Sequence, residues 1–343
     1  MQDTEYTNEQ EFNDTSLSTN NSELQGDLSQ LIQNFDKMNV KVIDPIVILN
    51  KQENFAIEDF NIIVDVIHDF IFKLINKGFE MYSVKQQVIE YFNNYNLNSQ
   101  EFYNWLLDNQ NSSNSIFILG YFDYYGIGIN KNYENAFNLF INASEKNHIL
   151  AQYFVGECYF YGKGVIKNGK LAIEYYEKTV DKNFTPGQVS VGYCYYKKGI
   201  GVEKDFKKAF YWYEIAANNG SLNAIYNLGN CYKNESGIEK DYNKAFKLFK
   251  QSAEGGYPEG IMMLGYCYNN SIGTKINKQK AFGLYQNAAN LGNIIAQHNL
   301  ALMYETGDGI TKDIGKAIYW YEKSAKQGYP NAQKRLKKLQ KNQ

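Results

Sequence analysis

Four cysteines are the residues of this 343-residue chain best suited to thiol or metal chemistry. They lie 36, 37 and 36 residues apart, at Cys158, Cys194, Cys231 and Cys267. Thiolates at a regular spacing could bind metal ions or form disulfides. However, Phe122 and Met303 take the same position in two further copies of the pattern, so the position favours an apolar side chain. Equivalent positions of packed helices also lie about 9–10 Å apart, beyond the reach of a disulfide. We therefore expect buried free thiols.

Histidines and paired glycines are the next candidates for chemistry. His68, His148 and His298 occupy unrelated positions, and no carboxylate or thiol partner is predictable for any of them. Gly126-Ile127-Gly128 and Gly162-Lys163-Gly164 resemble phosphate-binding loops only superficially, because a dinucleotide fingerprint needs a preceding strand and a P-loop needs Gly-Lys-Ser/Thr. We interpret the glycine pairs as turns. The sequence predicts no catalytic site, metal or cofactor.

The secondary structure that positions these residues can be predicted from an internal repeat in the sequence. Three columns of small residues recur every 36 residues, with a single interval of 37. The first column is Gly120, Gly156, Gly192, Gly229, Gly265 and Ala301; the second is Gly128, Gly164, Gly201, Gly237, Gly273 and Gly309; the third is Ala136, Ala172, Ala209, Ala245, Ala281 and Ala317. Such a period is typical of stacked structural repeats, each too small to fold alone.

Within one copy, apolar and small residues indicate two short helices. Helix A contains Gly229 in an apolar stripe of period 3.6, and a turn containing Gly237 follows it. Asp241 is placed to cap helix B, which we expect to end at Gly255-Gly256. Each copy is therefore predicted to be a helical hairpin, with Gly and Ala where helices touch.

Charge and hydropathy exclude several classes of protein. The chain has 35 basic and 37 acidic residues and a net charge of -2, which argues against nucleic-acid binding by phosphate neutralisation. The longest apolar stretch, Ile62 to Leu74, is interrupted by charged residues and predicts a core helix instead of a membrane span. The polar, acidic start lacks the pattern of a secretion signal. We expect a cytoplasmic protein.

The columns carry a resemblance to a known family. Val191-Gly192, Tyr195, Gly199-Ile200-Gly201-Val202, Asp205, Lys208-Ala209, Trp212-Tyr213 and Ala216-Ala217 match the pattern of the Sel1-like repeat, a relative of the tetratricopeptide repeat. The resemblance extends over about residues 113 to 343, with departures such as Asp123 for tyrosine and Ala301 for glycine. It implies an all-α, right-handed superhelical solenoid of stacked helical hairpins.

We predict three parts in the chain. Residues 1–26 are too polar to pack and are expected to form a disordered arm. Residues 27–112 are predicted to form a helical N-terminal cap, with a helix from Asp59 to Gly78 and capping boxes at Ser83 and Asn98 opening two shorter helices that form a degenerate repeat. Residues 113–343 are expected to contain six repeats and a C-terminal half-repeat, whose basic outer face is solvated.

The resemblance also implies a binding surface. In tetratricopeptide-like solenoids, helix A residues three before, one after and four after the column glycine face the concave groove. The aromatic residues at these positions are Phe117, Tyr121, Tyr124, Tyr153, Phe160, Tyr193, Tyr196, Tyr226 and Tyr266. Aromatic rings suit peptide recognition, although the same rings could simply pack across adjacent helices.

The function implied is a non-catalytic scaffold or adaptor that binds a protein or peptide in this groove. The alternative is a regulatory subunit that acts on an enzyme in trans, because the chain is also similar to fungal Sel1-repeat proteins that activate chitin synthase or accompany kinases in signalling. The sequence identifies neither the partner nor the oligomeric state.

Overall fold

The computed structural model describes residues 60–79, 81–182, 184–197 and 200–340. Sixteen α-helices and no strands occur within these ranges, as the all-α prediction requires. The predicted arm at 1–26, the segment 27–59 and the proposed cap residue Asp59 lie outside them.

The helices follow one another through short turns, and consecutive helices pack together through most of the chain. The three N-terminal helices are α1 (Phe60–Asn76), α2 (Met81–Asn94) and α3 (Ser99–Asp108). The A helices of the six repeats are α4 (Ser113–Tyr125), α6 (Ile149–Tyr161), α8 (Thr185–Tyr196), α10 (Leu222–Asn234), α12 (Pro258–Asn270) and α14 (Ile294–Thr306). The B helices are α5 (Tyr133–Glu145), α7 (Gly169–Val180), α9 (Phe206–Asn218), α11 (Tyr242–Glu254), α13 (Lys278–Asn290) and α15 (Ile314–Lys326), and α16 (Pro330–Gln340) follows.

Each B helix begins at an Asp or Asn that caps it. In α11, Asp241 Oδ1 accepts a hydrogen bond of 2.9 Å from the backbone N–H of Lys244, as predicted. The corresponding caps of the other repeats are Asn132, Asn168, Asp205, Asn277 and Asp313. Helix α11 ends at Glu254, and Gly256 follows with a φ of +84°. Both boundaries of helix B thus follow from local sequence signals.

The first glycine column lets helices A and B of one repeat approach closely. A Cβ on Gly192 would lie 2.8 Å from the Tyr213 ring, and one on Gly229 would lie 2.6 Å from the Phe249 ring. Real Cβ atoms do not make such contacts. Glycine therefore makes room for a large aromatic side chain of helix B at the centre of the first five repeats, whereas the sixth has Ala301 at this position.

The second glycine column joins neighbouring repeats. Gly237 has a φ of +83°, and a side chain there would overlap the carbonyl oxygen of Phe206, at the start of the preceding B helix. A side chain on Gly164 would likewise overlap the carbonyl oxygen of Tyr133, and a side chain on Gly273 would overlap that of Tyr242. The spacing between repeats is thus set by contact of one backbone with the next.

Helix α1 does not belong to a repeat. It runs past the N-terminal ends of successive A helices, and we call it the strap. Asn114 Nδ2 donates to Asp65 Oδ1 over 2.8 Å in the first repeat, and Phe72 lies 5.5 Å from Phe184 between ring centroids at the third. The backbone N–H of Thr185 donates to the Oδ1 atom of Asn76 over 2.9 Å. The strap therefore links repeats that do not adjoin.

Helices α2 and α3 complete the N-terminal part. The prediction that Ser83 opens a helix is wrong, because α2 already begins at Met81 and the Ser83 hydroxyl accepts a bond from Gln87 inside the helix. Asn98 does cap α3, where it accepts from the backbone N–H groups of Gln100 and Glu101. A Cβ on Gly128 would strike Ser99, so α3 takes the place that a B helix takes before the next repeat.

Candidate functional site

A cavity of about 520 Å³ lies on the face of the solenoid built by the A helices. Helices α6, α8 and α10 contribute most of its walls, and the turn between the strap and α2 lies at its edge. Its lining is rich in aromatic rings: Phe79, Tyr82, Tyr153, Phe160, Tyr161, Tyr176, Tyr193 and Tyr257. The volume is within the range of ligand-binding pockets, about 300–1,000 Å³.

Among the described residues that line the cavity, Glu157 carries the one carboxyl group, and none is a lysine, arginine or histidine. Its Oε1 atom accepts a hydrogen bond of 2.7 Å from the hydroxyl of Tyr176 on α7. Removal from water raises the pKa of Glu157 from 4.5 to about 7, and hydrogen bonds from Tyr176 and Tyr153 only partly oppose the rise. Among the described residues, no cation lies within ion-pair distance of this carboxylate.

The cavity brings together three of the nine predicted groove residues, Tyr153, Phe160 and Tyr193. Tyr193 has 37% of its surface exposed, Phe160 is half-buried, and Tyr153 is buried. The rings of Phe160 and Tyr193 lie 6.0 Å apart. This cluster combines accessible and core-anchored rings in one place.

Four more predicted groove residues lie outside the cavity but remain partly accessible. Tyr124 and Tyr196 are half-buried against Tyr133 and Phe206 of their own repeats. The remaining two are Tyr226, half-buried against Phe249 and Tyr257, and Tyr266, which is 37% exposed. They extend the aromatic surface from the first repeats toward the fifth.

Phe117 and Tyr121 correct the groove assignment, since both are 0% exposed. Phe117 is covered by His68 of the strap and is stacked on His148 at 4.9 Å, whereas Tyr121 packs against Phe154 at 5.8 Å. Because the strap and these rings occupy the space that the resemblance left open, the two side chains belong to the core.

The cysteines and His148 have structural roles. All four thiols are buried, and burial raises their pKa to about 12, so they pack as apolar side chains as expected. His148 caps α6: its Nδ1 atom accepts from the backbone N–H of Ala151 over 3.1 Å, so its Nε2–H donates to Asn114. Burial lowers the pKa of His148 to about 3. No cluster of potential metal ligands occurs within the described ranges.

The predicted groove set contains neither Glu157 nor Tyr176, the two residues joined by the hydrogen bond in the cavity. Glu157 stands one residue after the column glycine, where neighbouring copies have Tyr121 and Tyr193, and a lone acid in an aromatic column was the available signal. Tyr176 lies on the B helix α7, whereas the predicted groove contains residues of the A helices only. The helix of the strap was predicted, but its position beside the cavity was not, because it lies outside the period.

The raised pKa of Glu157 predicts a pH-dependent stability. The folded protein binds this proton more tightly than the unfolded chain, so the contribution of Glu157 to stability is present below pH 4.5 and is lost as pH rises through about 7. We expect Glu157→Gln to gain about 2–3 kcal/mol relative to the wild type between those limits. Urea denaturation of both proteins at several pH values measures the difference. A difference that stays constant with pH would show that the pKa of Glu157 is not raised.

Helical hairpins that stack with a single period define an α-solenoid of the tetratricopeptide-like class. The family model for the Sel1 repeat matches six consecutive segments, residues 113–148, 149–184, 185–221, 222–257, 258–293 and 294–329. Since these segments span more than half of the chain, it belongs to the Sel1 repeat family.

Solved structures show the same architecture. A Sel1 repeat protein from Oxalobacter formigenes matches with a TM-score of 0.62 and 29% identity, over 69% of this chain and 95% of that protein. The protective antigen c5321 of uropathogenic Escherichia coli, which displays a Sel1-like repeat fold, matches with a TM-score of 0.53 and 24% identity, over 82% of this chain and 67% of that protein. No curated protein shows significant sequence similarity to the chain.

Sel1-repeat proteins generally mediate protein–protein interactions and are typically non-catalytic adaptors, which supports a scaffold role. Within the described ranges, no helix combines the length and apolarity needed to cross a bilayer. The cytoplasmic location and the exclusion of nucleic acid stay predictions.

Proposed function

We propose that this protein is a non-catalytic scaffold that binds an extended segment of a partner protein across the A-helix face. The cavity at α6, α8 and α10 carries the proposal, because it is an aromatic-lined recess on the surface where helical repeats present side chains to partners. Tyr193 supplies accessible ring area, and the buried rings of Tyr153 and Tyr176 hold the floor in place.

The aromatic composition suits this task energetically. A tyrosine contributes a large contact area with few rotatable bonds, and each buried Å² of apolar surface is worth about 25 cal/mol before ordering costs are subtracted. Half-buried rings at Phe160 and Tyr226 extend the surface on both sides of Tyr193. A partner segment lying along the repeats would contact several rings in succession.

The test is a selection from a random-peptide display library on the purified full chain. We expect enriched peptides whose affinity falls at least tenfold, or about 1.4 kcal/mol, in Tyr193→Ala. Tyr211→Ala is the matched control, since Tyr211 is 55% exposed on the B helix α9 and does not line the cavity. Affinities are measured by fluorescence anisotropy of labelled peptides. Peptides that bind wild type and Tyr193→Ala equally would place recognition elsewhere and refute the proposal.

A further inference from the structure

The proposed binding face contains an acid, Glu157, for which the described residues around it supply no counter-ion. Glu157 faces the cavity beside Tyr153 and Tyr176, and the described lining residues provide phenols and amides but no cation. Lys197 is not one of these lining residues, and its Nζ donates to the Tyr193 hydroxyl over 3.0 Å instead of pairing with Glu157. A cation stabilises a carboxylate in such surroundings more than it stabilises an exposed carboxylate, because fewer water molecules compete for the carboxylate oxygens. The aromatic walls also suit a flat cation, which stacks on rings.

The opposite end of the same solenoid shows how such an acid is satisfied. In the sixth repeat, Glu305 Oε2 accepts a 2.7 Å hydrogen bond from Tyr321, the residue equivalent to Tyr176. Arg335 of α16 then donates from Nη1 to Glu305 Oε1 over 3.2 Å. Glu305 lies one helical turn further along its A helix than Glu157 does, and its tyrosine partner comes from the same position of helix B.

The protein therefore already contains one complete unit of tyrosine, glutamate and arginine, and a second unit that has only the tyrosine and the glutamate. Arg335 is the one arginine of the chain, and it is engaged with Glu305. Another region of this chain, or a second copy, could not supply a guanidinium without dismantling the first unit.

We infer that the cavity receives an arginine side chain of a partner protein, with Glu157 as its counter-ion and the surrounding tyrosine rings as its walls. The inference rests on the proposed function and names the chemistry of the partner. Guanidinium suits the site better than ammonium, because its planar fork can pair with a carboxylate and stack on rings at the same time.

Protonation of Glu157 makes this recognition pH-dependent. The groups that face it are Tyr153, Tyr161 and Cys158 of its own helix, Tyr124 and Tyr125 of α4, Tyr176 of α7, and Tyr193 and Cys194 of α8. Burial raises the pKa of the phenols of Tyr124, Tyr125, Tyr153, Tyr161 and Tyr176 and of the thiols of Cys158 and Cys194 above their ordinary alkaline values, so none of them ionises near pH 7. Lys197, whose Nζ donates to the Tyr193 hydroxyl over 3.0 Å, adds a positive charge on the side of α8. Because the pKa of Glu157 is about 7, arginine binding should weaken about tenfold between about pH 8 and about pH 6.

The experiment uses the peptides selected on the full chain, excluding those that contain histidine. We expect an arginine in them whose replacement by citrulline, a neutral isostere, weakens binding about 10- to 100-fold, and whose replacement by lysine weakens it several-fold. Glu157→Gln should bind the arginine peptide as weakly as wild type binds the citrulline peptide, and should show no pH dependence. Glu254→Gln, at an exposed site on α11, is the matched control and should bind as wild type.

The outcomes separate the two proposals. If no enriched peptide is sensitive to Tyr193→Ala, the proposed function itself fails. If peptides are sensitive to Tyr193→Ala but bind equally well with citrulline, or bind Glu157→Gln equally well, the face binds partners and the arginine assignment is wrong. Equal binding of lysine and arginine peptides would also overturn the assignment to guanidinium.

Discussion

Gly237→Ala is expected to lower the free energy of unfolding by about 2–5 kcal/mol, although it adds a single methyl group. A residue with a side chain costs about 1–2 kcal/mol in the left-handed conformation that Gly237 adopts. The new Cβ would also overlap the carbonyl oxygen of Phe206, and relief of such a clash costs about 1–3 kcal/mol more because backbone cannot rotate away. Chemical denaturation followed by circular dichroism measures the loss.

Gly220→Ala is the matched control for this substitution. Gly220 has a φ of +84°, against +83° for Gly237, but a Cβ added there would have no other atom within 4 Å. We therefore expect only the conformational cost, about 1–2 kcal/mol. Equal losses at the two glycines would show that the second glycine column serves the turn alone and does not set the contact between repeats.

Phe117→Ala is the second substitution for which we expect a large effect, a loss of about 3–5 kcal/mol in the free energy of unfolding. Its ring is fully buried between His68, His148 and Phe154, so truncation leaves a cavity that the strap cannot fill without moving. Urea denaturation gives the stability, and hydrogen exchange of the strap amides reports whether α1 loosens.

Tyr266→Ala provides the comparison, because the same groove pattern selected both residues. Tyr266 is 37% exposed, and its truncation should cost less than about 1 kcal/mol. A small loss for Phe117→Ala, close to that of Tyr266→Ala, would mean that the strap does not cover the first repeats as described.

The repeats could be predicted from the sequence because the residues that determine each repeat lie close together in the chain. The caps such as Asp241, the turn glycines and the aromatic ring facing each column glycine all lie within one copy, and six copies report the same register. The starts of the six B helices follow from the Asp and Asn caps. The Ser83 capping box failed because a short capping pattern also occurs inside helices, where no neighbouring copy exists to correct it.

The site could be predicted only in part, because its decisive contacts join distant segments. Tyr193 and Phe160 followed from the periodic positions, whereas the burial of Phe117 depends on His68, 49 residues earlier in a helix without a repeat partner. Glu157 carries a raised pKa only because α7 and α8 enclose it. Neither effect is encoded in the residues next to the group concerned.

The strap gives the solenoid a mechanical asymmetry. In a simple stack each repeat touches only its neighbours, so repeats can peel away one after another from either end. Asp65, Phe72 and Asn76 connect the strap to Asn114, Phe184 and Thr185, and thereby fasten the first three repeats to one another. Under tension, the fifth and sixth repeats would unfold one at a time. The first three repeats would stay folded together until the strap detaches. The fastened repeats are also the repeats that contain most of the cavity.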